Sequence, residues 1–449
     1  MQARRCISFG RNHSMLLRAV LASATGACCT AFAASPGLRP SWVRHAASAV
    51  ARVRVRDSRR SVRTTMTARG GAQPSGLAGE GPLCSIGIMS DIQYADVDDG
   101  ASFGGTPRYY RHALEAVKTA LESWAARPEV CLAVHLGDIL DGKQPRKTAP
   151  GALQRLQDCF ARFNGRVLHV IGNHCLYSLE RSEILQTLGM ADLAPADEEG
   201  CLYYSMSPAP GVRLVVLDGY DISYAWPAGS ARGDAARAML SAARAHLAHK
   251  DGVDNVNSPA LLDGYDKRWV AFNGAVGRRQ LAWLEDELAA ARGGGERVIV
   301  VSHNPLVAEA AAPQCVLWNA EDVLAVIARF RDTVGVCLSG HAHAGGFTRD
   351  EQGVPHRVLE AIVECPPGTS AHGLLHVFSN RVEIEGSGGM ASQVIYYADT
   401  LDSPSADLLP EIDEQRDTWR RPHGHGLAGG MGEEERARQQ ALERRRGTA

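Results

Sequence analysis

The sequence has little of several features that mark particular classes of protein. Its formal net charge is only -2, so no excess of positive charge predicts a nucleic-acid surface. The 11 cysteines are odd in number and form no Cys-x-x-Cys pair, which disfavours a disulfide framework and favours reduced thiols inside a cell. No internal repeat is visible. What remains is a chain with 45% hydrophobic and 22% charged residues, which is ordinary for a globular protein that buries a core.

Acidic residues are absent before Asp57, whereas Arg, Ala and Ser are abundant over residues 4–69. This composition predicts an organelle transit peptide, for a chloroplast or a mitochondrion. A secretory signal is the alternative, because residues 15–34 are mildly apolar and end in Ala-Phe-Ala-Ala, but Arg18 interrupts them. The segment is too weakly apolar for a membrane span. A disordered extension or a misassigned start codon is a third interpretation, and it would leave the protein in the cytoplasm.

The sequence predicts three parts: a leader with a linker (residues 1–82), one catalytic domain (83–402) and a disordered C-terminal tail (403–449). Candidate functional residues extend from Asp91 to His343 without an obvious linker between them, which favours one large domain over two. We expect a monomer that binds neither nucleic acid nor a membrane.

Within that domain, five short apolar segments predict strands that run directly into polar residues. The segments are residues 84–89, 131–136, 166–171, 297–301 and 333–338. Open α/β sheets place their chemistry at the carboxyl ends of strands. The residues that follow the segments offer carboxylate, amide and imidazole groups: Asp91, Asp138, Asn173 with His174, His303, and His341 with His343. That mixture suits a pair of divalent metal ions. Each motif is weak alone, but their ordered coincidence indicates a dinuclear site.

Helical spacing predicts helices over residues 108–124, 151–163, 277–292 and 321–330. The first three strands alternate with helices, which implies parallel pairing. Residues 222–276 form a long polar insertion with a weakly helical part at 235–250, typical of a functional loop. Residues 356–385 alternate as antiparallel strands would.

The ordered motifs resemble those of the calcineurin-like metallophosphoesterases. They are Asp91-x-Gln93, Gly137-Asp138-x-x-Asp141-Gly142, Gly172-Asn173-His174, Ser302-His303-Asn304-Pro305 and Gly340-His341-x-His343. Within that group, the sequence is similar to the manganese-dependent ADP-ribose/CDP-alcohol diphosphatases. The narrower resemblance covers about residues 86–387 and rests on Ser90-Asp-Ile-Gln-Tyr-Ala-Asp96, Arg108-Tyr-Tyr-Arg-His112, Leu217-Asp-Gly-Tyr-Asp221, Asn257-Ser-Pro259, Phe272-Asn-Gly274 and Leu317-Trp-Asn319. It implies a four-layer α/β sandwich, with two mixed β-sheets flanked by helices.

The resemblance also implies roles for the ligand-type residues. One metal ion would be held by Asp91, Gln93, Asp138 and His343, and the other by Asp138, Asn173, His303 and His341. Asp138 would be shared by both ions. A water activated by the two metals would attack phosphorus, and His174 would stabilise the developing charge or protonate the leaving oxygen. We expect Mn²⁺ at both positions, with Mg²⁺ or Zn²⁺ as alternatives.

Two residues depart from the broader superfamily. Gln93 stands where most members have a histidine, and its hard amide oxygen favours Mn²⁺ or Mg²⁺ over softer metals. Cys175 stands where an acidic residue commonly follows the Asn-His pair, which leaves Asp141 as the candidate that supports His174. For Cys175 itself we expect a small buried apolar residue.

Substrate selection is expected in loops above the metals. Phe103 and Trp318 could stack on a base or ribose, Cys315 could line the pocket, and Arg108 and Arg111 could contact a diphosphate. The alternatives are core packing for the aromatic residues, packing below the pocket for Cys315, and a solvated helix face or a salt bridge for the two arginines.

The resemblance predicts an enzyme that cleaves the phosphoanhydride bond of nucleoside diphosphate-linked small molecules, such as ADP-ribose, CDP-choline and CDP-glycerol. A phosphomonoesterase or cyclic-nucleotide phosphodiesterase with the same metals is one alternative. A metal-free scaffold on the same fold, suggested by Gln93 and Cys175, is another.

Overall fold

A computed structural model describes residues 81–193, 200–248, 250, 252 and 254–400. The predicted leader, except its last two residues, and the predicted C-terminal tail lie outside the described residues.

The described residues contain sixteen strands and seven α-helices. The strands are β1 (Cys84–Met89), β2 (Gly100–Ala101), β3 (Pro107–Arg108), β4 (Leu132–His135), β5 (Arg166–His169), β6 (Tyr204–Ala209), β7 (Val212–Val216), β8 (Ile222–Ser223), β9 (Gly274–Ala275), β10 (Arg297–Val301), β11 (Val334–Ser339), β12 (Ala344–Arg349), β13 (Pro355–Glu360), β14 (Ala371–Val377), β15 (Arg381–Gly388) and β16 (Gln393–Tyr396). The helices are α1 (Ala113–Ala125), α2 (Ala149–Phe160), α3 (Asn173–Ser178), α4 (Arg181–Thr187), α5 (Ala231–Ala243), α6 (Arg278–Gly294) and α7 (Ala320–Ala328).

Twelve of the strands form two six-stranded mixed sheets. The first has the order β16-β15-β14-β1-β4-β5, and the second has the order β12-β13-β11-β10-β7-β6. Strands β1, β4 and β5 are parallel to one another, as the alternation of strands and helices predicted. In the second sheet β7, β10, β11 and β13 are likewise parallel. The carboxyl ends of the parallel strands therefore lie along one edge of each sheet.

The second sheet is buried on both faces, which explains why its central strands are continuously apolar. In β10, Ile299 and Val301 belong to the core that also contains Ile86 and Ile88 of the first sheet. The alternate residues Val298 and Val300 pack with residues of α6 and α7 instead. Helices α1 and α2 contribute to the core on the first sheet. The layers are therefore helix, sheet, sheet and helix, which confirms the predicted fold class.

Two local predictions were wrong. The first predicted helix begins at Ala113 rather than at residue 108, because Pro107 and Arg108 pair with Ala101 and Gly100 in a small hairpin. The segment 356–385 is not purely antiparallel, because β13 pairs in parallel with β11 and antiparallel with β12, a strand that the alternation of residues did not reveal.

All eight cysteines in the described residues are free thiols. The sequence predicts reduced thiols rather than a disulfide framework. None of the helices that the structure describes is both long enough and apolar enough to cross a bilayer.

Gly87 in β1 allows close contact between the first sheet and Trp124 of α1. A Cβ atom on this residue would lie 2.7 Å from the indole of the fully buried Trp124. We expect Gly87→Ala to lower the free energy of unfolding by about 1–3 kcal/mol, because a packed core resists added volume. Urea denaturation measures the difference.

The matched control is Gly151→Ala in α2, where an added Cβ meets no atom within 4 Å. Alanine there is expected to stabilise by up to about 1 kcal/mol, because it favours the helix. Equal effects of the two substitutions would contradict the packing described for Trp124.

Candidate metal centre

The predicted ligands converge where the two sheets meet. Asp91 and Asp138 follow β1 and β4 of the first sheet, whereas His303 and His341 follow β10 and β11 of the second. The backbone N–H of His341 donates to the carboxylate of Asp91, with N···O distances of 3.0 and 3.2 Å. The five predicted strands therefore deliver their polar residues to one place.

The backbone at this place is strained. Among the described residues, five that are not glycine have a positive φ angle, and each is a predicted metal ligand: Asp91, Gln93, Asp138, His341 and His343. The left-handed region is costly for such residues and persists only where the surrounding structure imposes it, often at functional sites. The strain is thus concentrated at the candidate centre.

Asp138 lies at the middle of the cluster and is fully buried. Its Oδ2 accepts a hydrogen bond from Gln93 Nε2 at 3.0 Å and lies 3.3 Å from His303 Nε2, and its Oδ1 accepts from the backbone N–H of His174 at 2.8 Å. Burial alone would raise the pKa of Asp138, but the neighbouring His303 and His174 hold that pKa well below its usual value. The residue is therefore a carboxylate, the form that binds metals.

Close approach to Asp138 requires glycine at position 172. A Cβ atom on Gly172 would lie 2.0 Å from Oδ1 of Asp138. The Gly-Asn-His motif thus places the backbone N–H of His174 against the carboxylate.

Asp138, His303 and His341 each present one ligand atom, and these atoms lie within 4.8 Å of one another. Each of the three predicted histidine ligands has a protein partner for one ring nitrogen. His303 Nδ1 donates to the Leu136 carbonyl at 2.8 Å, and His343 Nδ1 donates to Glu364 Oε1 at 2.7 Å. His341 uses Nε2 instead, 2.9 Å from Asn273 Oδ1. Such partners fix the ring and leave the other nitrogen as a ligand.

The first predicted metal position is formed by Asp91, Gln93, Asp138 and His343. His343 Nε2 lies 3.4 Å from Asp91 Oδ1 and 3.2 Å from Gln93 Nε2. Burial would raise the pKa of Asp91, but its hydrogen bond with His343 and the charge of His343 lower it to about 2. Burial would lower the pKa of His343, but the charge of Glu364 raises it to about 9.

The donors fit divalent ions. Two buried atoms at the cluster, His303 Nε2 and Gln93 Oε1, have no hydrogen-bond partner among the described residues. Buried polar atoms are seldom left unpaired, and both atoms carry a lone pair that a metal ion would accept. Carboxylate, amide oxygen and imidazole together match the preferences of Mn²⁺.

Asn173, the remaining predicted ligand, begins α3 and is buried. Its Oδ1 accepts a hydrogen bond from the Tyr220 hydroxyl at 3.2 Å, and its Nδ2 donates to the Tyr177 hydroxyl at 3.1 Å. The amide is therefore held at both ends.

His174 lies beside the cluster and is partly exposed, with 21% of its side chain accessible. Its Nδ1 accepts a hydrogen bond from the backbone N–H of Gly142 at 3.1 Å and lies 3.0 Å from Asp141 Oδ2, so Asp141 lies at the supporting position predicted for it. Burial would raise the pKa of Asp141, but the charge of His174 lowers it, so this residue too is a carboxylate. Cys175 is buried, and burial raises its pKa to about 12, as expected for an inert apolar residue.

The residues predicted for substrate binding differ in their positions. Phe103 is 67% exposed, whereas Trp318 is fully buried and donates its indole N–H to the Val270 carbonyl. Trp318 therefore belongs to the core, and the prediction that it lines a pocket was wrong. Cys315 is half-buried, and burial, together with the charge of Asp91, raises its pKa to about 12.

Arg108 and Arg111 do not lie on a helix. Arg108 in β3 points toward the site, with one guanidinium nitrogen 3.8 Å from Asp141 Oδ2 and 17% of its side chain exposed. Arg111 forms exposed ion pairs with Asp96 and Asp98, in agreement with the salt-bridge alternative for this residue.

The sequence did not reveal that Glu364 contacts His343 and Asn273 contacts His341, or that Asn304 contacts Asn273 in turn. Asn273 and Asn304 lie within motifs that carry the resemblance, which is the signal that could have identified them. Glu364 lies in a short 3-10 helix (Ile362–Glu364) and follows no motif.

Fold and site together define a metallophosphoesterase of the calcineurin-like class. A crystal structure of a dimetal phosphatase from Danio rerio is similar, with a TM-score of 0.65 and 32% identity over 70% of this chain and 99% of that chain.

Curated relatives with similar sequences indicate a narrower family. A manganese-dependent ADP-ribose/CDP-alcohol diphosphatase of Arabidopsis thaliana is 42% identical over 71% of this chain and 98% of its own length. The proteins of the same name from Oryza sativa and Homo sapiens are 40% and 32% identical, over 69% and 70% of this chain and 93% of their own lengths. No family model matches the sequence. The chain belongs to the family of manganese-dependent ADP-ribose/CDP-alcohol diphosphatases.

We expect Asp138→Ala to abolish Mn²⁺ binding at both positions, because its carboxylate is the group common to both predicted ligand sets. Gln93→Ala is expected to weaken one position by at least roughly tenfold, which corresponds to about 1.4 kcal/mol. Calorimetric titration of the metal-free protein with Mn²⁺ measures both. The exposed carboxylate variant Asp158→Ala is the control, and a complete metal position left in Asp138→Ala would contradict the shared role.

Proposed function

We propose that this protein hydrolyses the phosphoanhydride bond of ADP-ribose and CDP-alcohols with two divalent metal ions, Mn²⁺ above all. The products are a nucleoside monophosphate and a phosphorylated remainder. The proposal is supported by family membership over nearly the full length of the relatives. The observation that carries it is the cluster of Asp138, His303 and His341. His303 Nδ1 and His341 Nε2 each have a protein partner, which leaves the second ring nitrogen of each histidine available as a ligand.

In this proposal, Asp91, Gln93, Asp138 and His343 would hold one ion, and Asp138, Asn173, His303 and His341 would hold the other. Bound divalent ions would polarise phosphate oxygens and lower the pKa of a bound water towards about 7. The low exposure of the carboxylates excludes bulk water and strengthens these interactions. The ligand set thus accounts for a hydrolase rather than a scaffold without metal.

His174 is assigned to the leaving oxygen. Its backbone N–H donates to Asp138, and its ring lies against the Gly142 N–H and the Asp141 carboxylate, so the side chain has a fixed place at the edge of the centre while remaining partly exposed. An imidazole there stabilises charge on the departing phosphate or gives it a proton.

The remaining predicted residues are assigned to the rest of the substrate. Arg108 supplies a guanidinium beside Asp141, where it can meet a second phosphate. Phe103, on the loop between β2 and β3, offers an exposed ring for the base or ribose. Cys315 contributes a neutral thiol near Asp91.

The experiment that tests the function incubates the full chain with Mn²⁺ and ADP-ribose, and separates the products by chromatography. We expect AMP and ribose phosphate, and no turnover after chelation or in Asp138→Ala. A phosphomonoester and a cyclic nucleotide are assayed beside ADP-ribose. A higher kcat/KM on either would favour the alternative hydrolases, and equal turnover by Asp138→Ala would refute the mechanism.

We expect His174→Ala to lower kcat on ADP-ribose by roughly 10²- to 10⁴-fold, the usual contribution of a positioned acid or base. The substitution keeps the backbone N–H that contacts Asp138, so Mn²⁺ stoichiometry should be unchanged. Steady-state kinetics and metal analysis check the two halves of this prediction.

Asp141→Asn is the companion variant, and it should have a smaller effect in the same direction because it removes the carboxylate beside His174 but leaves the imidazole in place. Wild-type kcat in His174→Ala, or loss of metal together with activity, would refute the assigned role.

A further inference from the structure

Asn273 has a single possible orientation. It lies between a 3-10 helix (Gly264–Arg268) and β9, and it is fully buried. Its Nδ2 donates to the carbonyl oxygens of Arg268 and Gln314, at 2.9 and 2.7 Å. The reversed amide would point its oxygen at two other oxygens, so Oδ1 must face the opposite side.

On that opposite side, Oδ1 of Asn273 meets His341. It lies 2.9 Å from His341 Nε2 and also accepts from Asn304 Nδ2 at 3.3 Å. An amide oxygen only accepts hydrogen bonds, so Nε2 of His341 must carry a proton. In a neutral imidazole the lone pair is then on Nδ1. His303 and His343 have the opposite arrangement, since their Nδ1 atoms face protein acceptors.

The same amide begins a chain of buried side chains behind the centre. Asn304 Nδ2 donates also to the Tyr220 hydroxyl at 3.2 Å, and that hydroxyl donates to Asn173 Oδ1 at 3.2 Å. Asn304 and Tyr220 are almost completely buried. The chain thus runs from His341 to Asn173, two residues proposed to hold the same metal ion.

The anchors of Asn273 come from outside the sheets. Arg268 belongs to the insertion of residues 222–276, and Gln314 to the short 3-10 helix Pro313–Cys315 that carries Cys315. The two 3-10 helices contact each other. The orientation of His341 therefore depends on segments that lie beside the proposed substrate pocket.

We propose that Asn273 is a positioning residue that holds His341 as the Nε2–H tautomer, with Nδ1 as its metal-facing nitrogen. Metal affinity at Asp138, His303 and His341 is then increased by the folded insertion, which supplies Asn273. The inference rests on the proposed metal-dependent function, although it concerns metal affinity rather than turnover. It predicts that loss of Asn273 affects one metal position and leaves the other.

The test compares Asn273→Ala with Asn319→Ala. Asn319 forms two hydrogen bonds with the backbone of Val276, at the end of the same insertion, and one with Asp322. It contacts none of the proposed ligands. Both variants should lose similar thermal stability as metal-free proteins. In calorimetric Mn²⁺ titrations of the full chain, only Asn273→Ala should lose roughly 10- to 100-fold in affinity at one of the two positions.

A second readout addresses the tautomer directly. In metal-free protein labelled with ¹⁵N-histidine, the His341 signal, assigned by its loss in His341→Gln, should show Nε2–H in wild type and Asn319→Ala. In Asn273→Ala it should show a mixture of the two tautomers. Nδ1–H in wild type, or equal Mn²⁺ affinities in the two asparagine variants, would overturn the proposal.

The titration also separates this inference from the function. If wild type binds two Mn²⁺ ions with the predicted difference between variants but does not cleave ADP-ribose, the function fails and the positioning role stands. If wild type binds no Mn²⁺, both fail.

Discussion

The structure depends on a carboxylate that has no contact with solvent. Burying a single charge costs several kcal/mol unless it is compensated, and Asp138 is compensated by His303, Gln93 and a backbone N–H. These partners come from two sheets and from the turn after β5, so the position of the charge requires both sheets to pack as they do. The left-handed backbone at Asp138 and four neighbouring ligands is held in place by the same packing.

The order of strands and the residues at their ends could be predicted from the sequence, because apolar runs followed by Gly-Asp or Gly-His are local patterns. Parallel pairing of β1, β4 and β5 followed from the helices between them. The start of α1 could not be predicted, because it is determined by the short hairpin of β2 and β3 that precedes the helix. Strand β12 was missed because it is defined by its pairing with β13, which its own composition does not indicate.

Within the site, the metal ligands could be predicted from the sequence, but the residues that hold those ligands in place could not. Glu364 reaches His343 from a segment 21 residues further along the chain, and Asn273 reaches His341 from 68 residues earlier. Such contacts are tertiary and leave no periodic signal. Trp318 shows the converse error, because a large aromatic residue near functional loops looks the same in sequence whether it faces a pocket or the core.

Because the two sheets supply different ligands, these ligands become available at different times during synthesis of the chain. The oxygen-donating ligands lie between residues 91 and 173, and the imidazole ligands lie between residues 303 and 343. A chain leaving the ribosome therefore presents the carboxylates and amides of the first sheet long before any of these histidines exists. Until His303 has been synthesised, only the oxygen-donating ligands are available. Loading of the finished centre must then be a late event, after the second half of the protein has been synthesised and has packed on the first.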